Sequence, residues 1–151
     1  MDKDTVVCDL DGTLANLSDR RHLVQGEKRD YDKFYEMCDK DIPNEWCVRL
    51  LTSLMDSGYR VVIVSARRQL QRQKTLAWMR EAFDFPNHNV PQLVLLRPPK
   101  DSTEDKVLKK NWLLSSGLKP RILFVIDDRP KVCRVWREEG LVCLQVDDVE
   151  F

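Results

Sequence analysis

The run Val6-Val7-Cys8-Asp9-Leu10-Asp11-Gly12-Thr13-Leu14 constrains this chain more than any other stretch. Thr5 to Asp9 is continuously apolar and partly β-branched up to its final acid, the pattern of a strand buried on both faces, as in a parallel sheet. It ends in two carboxylates spaced i, i+2, which a strand places on one side of the chain. Open α/β sheets build their sites at the C-terminal ends of their strands. Two acids held close together do not both ionise cheaply, so the pair requires a cation, a shared proton or a catalytic task.

The remainder of the chain alternates strand and helix patterns. Residues 16–41 are polar and mixed in charge, with a short helix expected around residues 31–38, and read as an insertion over the site. Pro43 and Asn44 open a helix whose core stripe is Cys47, Leu50, Leu51, Leu54 and Met55, and Gly58 ends it. Further strands are expected at 60–65, 92–96, 121–126 and 141–146. Helices are expected at about 69–83, at 103–115 and from Pro130, the last burying Val132, Val135 and Trp136. This order predicts an α/β fold with a five-stranded parallel sheet and right-handed crossovers.

A length of 151 residues predicts one domain, and 42% apolar with 33% charged residues suits a soluble globular protein. No apolar run is long enough to span a membrane and no signal peptide is visible, so a cytoplasmic protein is expected. Five cysteines, an odd count without Cys-x-x-Cys, predict reduced buried thiols. The net charge of zero does not advertise nucleic-acid binding, although a local basic patch stays open.

Polar candidates collect at predicted strand ends. Asp9 is the candidate nucleophile, and Asp11 is either a general acid/base or the Asp of an Asp-Gly turn. Gly12 and Thr13 are expected to shape a loop whose amides face phosphate. The Ser65 hydroxyl and the Ala66 amide are candidates for the same anion. Asp127 and Asp128 follow the fourth strand, where Mg²⁺ with Asp9, the Asp11 carbonyl and Asp128 would satisfy a hard cation; Asp127 is a further metal candidate or an orienting group, and an N-cap role accounts for only one of the two. Lys109, four residues after Asp105, would neutralise a phosphoryl group or lie on a solvated helix face with Lys106 and Lys110; Ser102 with Asp105 also fits a capping pattern.

Taken together, Asp9-Leu-Asp-Gly-Thr, Val62-Ile-Val-Ser-Ala-Arg67, Asp105-x-x-x-Lys109 and Ile126-Asp-Asp-Arg-Pro-Lys-Val-Cys-Arg-Val-Trp-Arg137 resemble the 3′-phosphatase domain of phage-type polynucleotide kinase/phosphatase, within the haloacid dehalogenase (HAD) superfamily. The resemblance implies a HAD-like, Rossmannoid three-layer fold with a small cap. It implies Asp9 as nucleophile, Asp11 as acid/base, Mg²⁺, and removal of 3′-phosphates, with 2′,3′-cyclic phosphates as further substrates. Arg20 matches the family's arginine in the insertion, with Arg21 adjacent; Arg67 matches the one after the second motif, and Asp105 a further functional position. The chain has no Gly-x-x-x-x-Gly-Lys-Ser/Thr, so 5′-kinase activity is not expected, and the chain is either a stand-alone phosphatase, one with a separate kinase or ligase chain as partner, or an excised domain.

A run of basic residues, Arg67, Arg68, Arg72, Lys74 and Arg80, is either a contact for DNA or RNA 3′ ends or a solvated helix face. Two further readings stand beside the polynucleotide phosphatase: a phosphatase of small phosphomonoesters, and a non-catalytic module of a repair or RNA-processing assembly.

Overall fold

The computed structural model describes residues 2–149. Five strands, β1 (Thr5–Cys8), β4 (Arg60–Arg68), β5 (Gln92–Arg97), β6 (Ile122–Asp127) and β7 (Cys143–Gln145), form one sheet in the order β5-β4-β1-β6-β7. All neighbouring pairs are parallel. The side-chain period of two divides each central strand between two cores. Val6, Cys8, Val61 and Ile63 face Cys47 and Leu51 of α2 (Glu45–Asp56) and Trp78 and Met79 of α3 (Arg72–Ala82). Val7, Val62, Val64 and Val125 face Leu113 of α4 (Asp105–Ser116) and Val132 and Trp136 of α5 (Pro130–Glu138). This is the expected HAD-like three-layer α/β architecture. The five cysteines are all free and buried, as their apolar settings predict. No helix among the described residues is long and apolar enough to cross a membrane.

Three local differences from the sequence expectation shape the site. The helix expected from residue 69 begins with a separate 3₁₀ turn at Gln69–Gln71, because β4 runs on to Arg68. Within that extension the pairing with β5 shifts register between Ser65 and Arg68; such an irregularity re-aims side chains at a sheet edge. A two-stranded ribbon also forms, β2 (Ala15–Asn16) against β3 (Ile42–Pro43), too short to show in a hydrophobic pattern. It closes the base of a small cap, which contains α1 (Tyr31–Glu36) and its own cluster of Leu17, Val24, Phe34 and Tyr35.

Candidate active site

The Asp9 amide donates to the Ile126 carbonyl at 2.9 Å, continuing the β1–β6 ladder one residue beyond β1. Asp9 is thereby set beside the pair that ends β6. One carboxylate oxygen from each of Asp9, Asp127 and Asp128 falls within 4.8 Å of the others. Lys109, reaching in from α4, is 2% exposed. Its Nζ donates to Asp9 Oδ1 at 2.7 Å and to Asp127 Oδ2 at 2.9 Å. The sequence left Lys109 between a buried and a solvated face, and its side chain is buried. Thr13 Oγ1 lies 3.3 Å from Asp9 Oδ2 and 3.2 Å from Asp128 Oδ1.

Three carboxylates against one ammonium leave an excess of negative charge out of water. Burial first, and the neighbouring Asp127 second, push the Asp9 carboxyl well above its ordinary pKa. Burial, with Asp127 adding to it, also raises Asp128, to about 6. For Lys109 burial acts the other way, but the Asp127 and Asp9 carboxylates outweigh it and hold the amine protonated. Oδ2 of Asp128 is buried and accepts no hydrogen bond. An all-oxygen, over-charged cluster with a free buried acceptor fits a hard divalent cation.

The two acids at the end of β6 are not equivalent. Asp127 Oδ1 accepts from the amides of Asp128 at 2.9 Å and Arg129 at 3.3 Å. Its Oδ2 accepts from Lys109 and from Trp136 Nε1 at 3.1 Å. With both oxygens engaged, Asp127 is built to hold Lys109, whereas Asp128 keeps an open lone pair. The Asp11 carboxylate is outside this acid cluster and turns away from it.

Asp11 is held by two guanidinium groups. Arg67 Nη2 and Nε reach Oδ1 at 2.7 Å and 3.1 Å, and Nε is 3.2 Å from Oδ2. Arg20 Nη2 reaches Oδ1 at 2.5 Å. Burial alone would raise the Asp11 pKa, but Arg67 and Arg20 outweigh it and hold the carboxyl well below the usual range. The two guanidinium groups therefore set the ionisation of Asp11. Both arginines also bind Asp41, with Arg20 Nε on Oδ1 at 2.8 Å and Arg67 Nη2 on Oδ2 at 3.4 Å. Arg20 Nη1 donates to Phe34 O at 2.9 Å, and its guanidinium lies 4.2 Å over the Phe34 ring. Arg67 Nη1 donates to Thr75 Oγ1 at 3.0 Å. Arg20, not the adjacent Arg21, reaches Asp11; Arg21 lies 4.0 Å from Asp147. Asp41 was missed, since one acid in a mixed-charge insertion carries no distinguishing signal.

Other candidates take different positions from those expected. The Gly12 amide donates to Ala15 O at 2.9 Å and the Thr13 amide to Leu10 O at 3.2 Å. These amides close the loop on itself instead of facing an anion. Gly12 instead supplies space: it has φ +87°, and a Cβ there would lie 2.1 Å from Asp128 Oδ2. Ser65 Oγ accepts from the Arg67 amide at 3.1 Å, and both Ser65 and Ala66 line the cleft. Asp105 bridges two cations, accepting from Arg97 Nη2 and from Arg129 Nη1, each at 2.5 Å. Arg97 also donates from Nε to Ala66 O at 3.0 Å and from Nη1 to Thr103 O at 2.8 Å. The sequence analysis missed Arg97, although a charged residue ending a buried strand was the signal used for Asp9 and Asp127. The basic run does not form one patch: Arg67 is buried on Asp11, Lys74 donates to Glu36 O at 2.9 Å, and Arg80 lies 5.9 Å from the Phe85 ring. Only Arg68 of that run lines the cleft among the described residues.

These groups border a cavity of about 510 Å³. Asp9, Asp11 and Lys109 lie at its floor, with the cap on one side and the loop leading into α4 on the other. The volume falls within the range of about 300–1,000 Å³ typical of small-molecule sites and exceeds what a phosphoryl group alone requires.

The chain is similar to known proteins over nearly all of its length. A family model described as the polynucleotide kinase PNKP phosphatase domain matches residues 3–151. A protein of Autographa californica nuclear polyhedrosis virus named as a bifunctional polynucleotide kinase/RNA ligase is 28% identical over 137 residues, covering 88% of this chain and 18% of the viral protein. A chain of the solved Pnkp1/Rnl/Hen1 complex superposes with a TM-score of 0.80 at 28% identity, covering 99% of this chain and 48% of that one. The chain thus spans less than half the length of these relatives. D,D-heptose 1,7-bisphosphate phosphatase from B. bronchiseptica shares the fold, with a TM-score of 0.59 at 13% identity over 94% of this chain and 79% of its own.

Proposed function

The chain belongs to the PNKP phosphatase-domain family of HAD phosphatases, and from that premise we propose that it is an Mg²⁺-dependent polynucleotide 3′-phosphatase. The observation that carries this reading is Asp9, held 2.7 Å from the Lys109 ammonium and beside Asp128 at the floor of a cleft.

In this mechanism an Asp9 carboxylate oxygen attacks the terminal phosphorus. The bond from phosphorus to the 3′ oxygen breaks, and Asp11 delivers a proton to that oxygen. Water then attacks phosphorus and gives a proton to Asp11 while the bond from phosphorus to the Asp9 oxygen breaks, releasing phosphate and the free Asp9 carboxylate, which divides one difficult displacement into two easier ones. Because Arg20 and Arg67 keep Asp11 ionised before substrate arrives, the base half of its task is ready in advance. The negative charge of an arriving phosphate group raises the Asp11 pKa, so that Asp11 takes up from solvent the proton it delivers in the acid half. Lys109 fixes the Asp9 rotamer and offsets developing charge, and Asp127, itself braced by Trp136, fixes Lys109. Asp9 and Asp128, with the Asp11 carbonyl, would hold Mg²⁺, which when bound supplies positive charge against the phosphoryl oxygens.

The relatives support a place in nucleic-acid end repair: one is named as a kinase joined to an RNA ligase, and another belongs to a complex with Rnl and Hen1. RNA 3′ ends, including 2′,3′-cyclic phosphates, are accordingly the favoured substrates, and a kinase or ligase the favoured partner. Phosphate release from a 3′-phosphorylated oligonucleotide, a 5′-phosphorylated one, a 3′-mononucleotide and an aryl phosphate, each with Mg²⁺ and with EDTA, tests this. Selective, metal-dependent release from 3′ ends is expected. Equal or faster turnover of the small esters would replace the polynucleotide assignment with a general phosphatase. No release from any substrate would favour a non-catalytic module.

A further inference from the structure

Arg29 and Tyr31 lie on the cap side of the active cleft. The other cap aromatics are packed away: Phe34 is 3% and Tyr35 5% exposed, with Arg20 over the first ring and Arg68 over the second. Tyr31 is 42% exposed. Arg29 is fixed rather than floating, since Nε donates to Gly26 O and Nη1 to the Tyr31 hydroxyl, both at 3.1 Å. Among the described residues Nη2 has no hydrogen-bond partner and Arg29 pairs with no carboxylate. Arg68, by contrast, is paired with Asp32. Between Arg29 and Tyr31, Asp30 anchors the segment: its side chain accepts from the Lys33 amide at 3.0 Å, and its amide donates to Leu23 O at 2.7 Å.

A half-exposed ring beside an uncompensated, pre-oriented guanidinium matches one chemistry above others. The ring offers a face for a nucleobase, and the guanidinium offers a free N–H to a phosphodiester oxygen. We propose that Tyr31 and Arg29 form a nucleotide subsite of the cleft, Tyr31 stacking a base at the 3′ end and Arg29 binding the phosphodiester that precedes the terminal nucleoside. This rests on the proposed polynucleotide activity and locates its selectivity for a polymer end in the cap.

The test compares kcat/KM for a 3′-phosphorylated oligonucleotide and for an aryl phosphate in the full chain and in Tyr31→Ala, Tyr31→Phe and Arg29→Gln. Tyr31→Ala is expected to lower the oligonucleotide value about ten-fold or more, with the aryl ester within about two-fold. Tyr31→Phe keeps the stacking face and is expected to retain most of the oligonucleotide rate. Arg29→Gln is expected to reduce the salt slope of oligonucleotide binding by about one. If the wild type prefers the oligonucleotide and the variants keep that preference, the subsite is wrong while the polynucleotide reading stands. Equal losses on both substrates point to a structural role and also overturn it. A wild type without oligonucleotide turnover removes both proposals together.

Discussion

The Lys109 ammonium lies 2.7 Å from Asp9 Oδ1 although the two residues are 100 positions apart in the chain. The contact joins α4 to the end of β1 and carries charge neutralisation and orientation in one side chain. Lys109→Ala would leave Asp9 and Asp127 buried without their cation, and breaking such a pair by removing one partner costs about 3–5 kcal/mol. Chemical denaturation should show that loss, and phosphate release under conditions where the variant stays folded should fall by at least about 100-fold.

Asp9→Asn removes the proposed nucleophile while keeping its shape. Turnover is expected to vanish in a metal-saturated assay, while thermal unfolding still shows a cooperative transition. Full activity in this variant would falsify the assignment of Asp9.

The raised Asp128 pKa predicts how stability responds to pH and metal. Its carboxyl titrates near 6 in the folded chain against an ordinary 3.8, so between those values the native state holds more protons than the unfolded one. Stability from this group therefore falls as pH rises through that window and stays lower above it. In EDTA the melting temperature should be lower at pH 7.5 than at pH 5.5, and Mg²⁺ should raise it at the higher pH far more than at the lower. Asp128→Asn should flatten the difference and weaken the metal dependence of activity.

Gly12→Ala is a small change with a directed consequence. The added Cβ would meet Asp128 Oδ2 at 2.1 Å, on a backbone with φ +87°. A loss of about 1–2 kcal/mol is expected from the left-handed backbone alone. The displaced Asp128 carboxylate should raise the Mg²⁺ concentration that gives half-maximal activity, as measured by metal titration.

Arg67→Met removes the cation that contributes most to keeping Asp11 ionised. The Asp11 pKa should rise, moving the acid limb of the kcat/KM profile to higher pH. Losing the hydrogen bonds by which Arg67 positions Asp11 should also lower the rate at neutral pH by about 10²-fold or more, the scale of lost acid–base catalysis. An unchanged profile would separate Asp11 from proton transfer.

Much of the architecture is legible in the sequence. The five strands follow from short β-branched runs bounded by turn residues, and Asp9 and Asp127 stand at strand ends because those ends finish the runs, whereas Ser65 lies inside β4, which continues to Arg68. The β2–β3 ribbon was invisible, since two residues a side carry no period. For single side chains local pattern failed in a consistent way. Lys109 lies on α4 with Lys106 and Lys110, and spacing does not say which lysine faces the sheet. Arg20 and Arg21 are indistinguishable by type, and only the packing on Phe34 and the pairing with Asp41 separate them.

The sequence by itself determined the sheet, its layers and the edge where the acids gather, because hydrophobic periodicity and turn chemistry are local properties of the chain. Tertiary structure alone decided how those acids differ. Trp136 and Lys109 saturate Asp127 and leave Asp128 with a free lone pair, while Arg20, Arg67 and Asp41 convene on Asp11 from separate segments. The ionisation state of a buried carboxylate is set by which charges lie within a few ångströms of it, and that distance is a property of the folded chain rather than of sequence spacing.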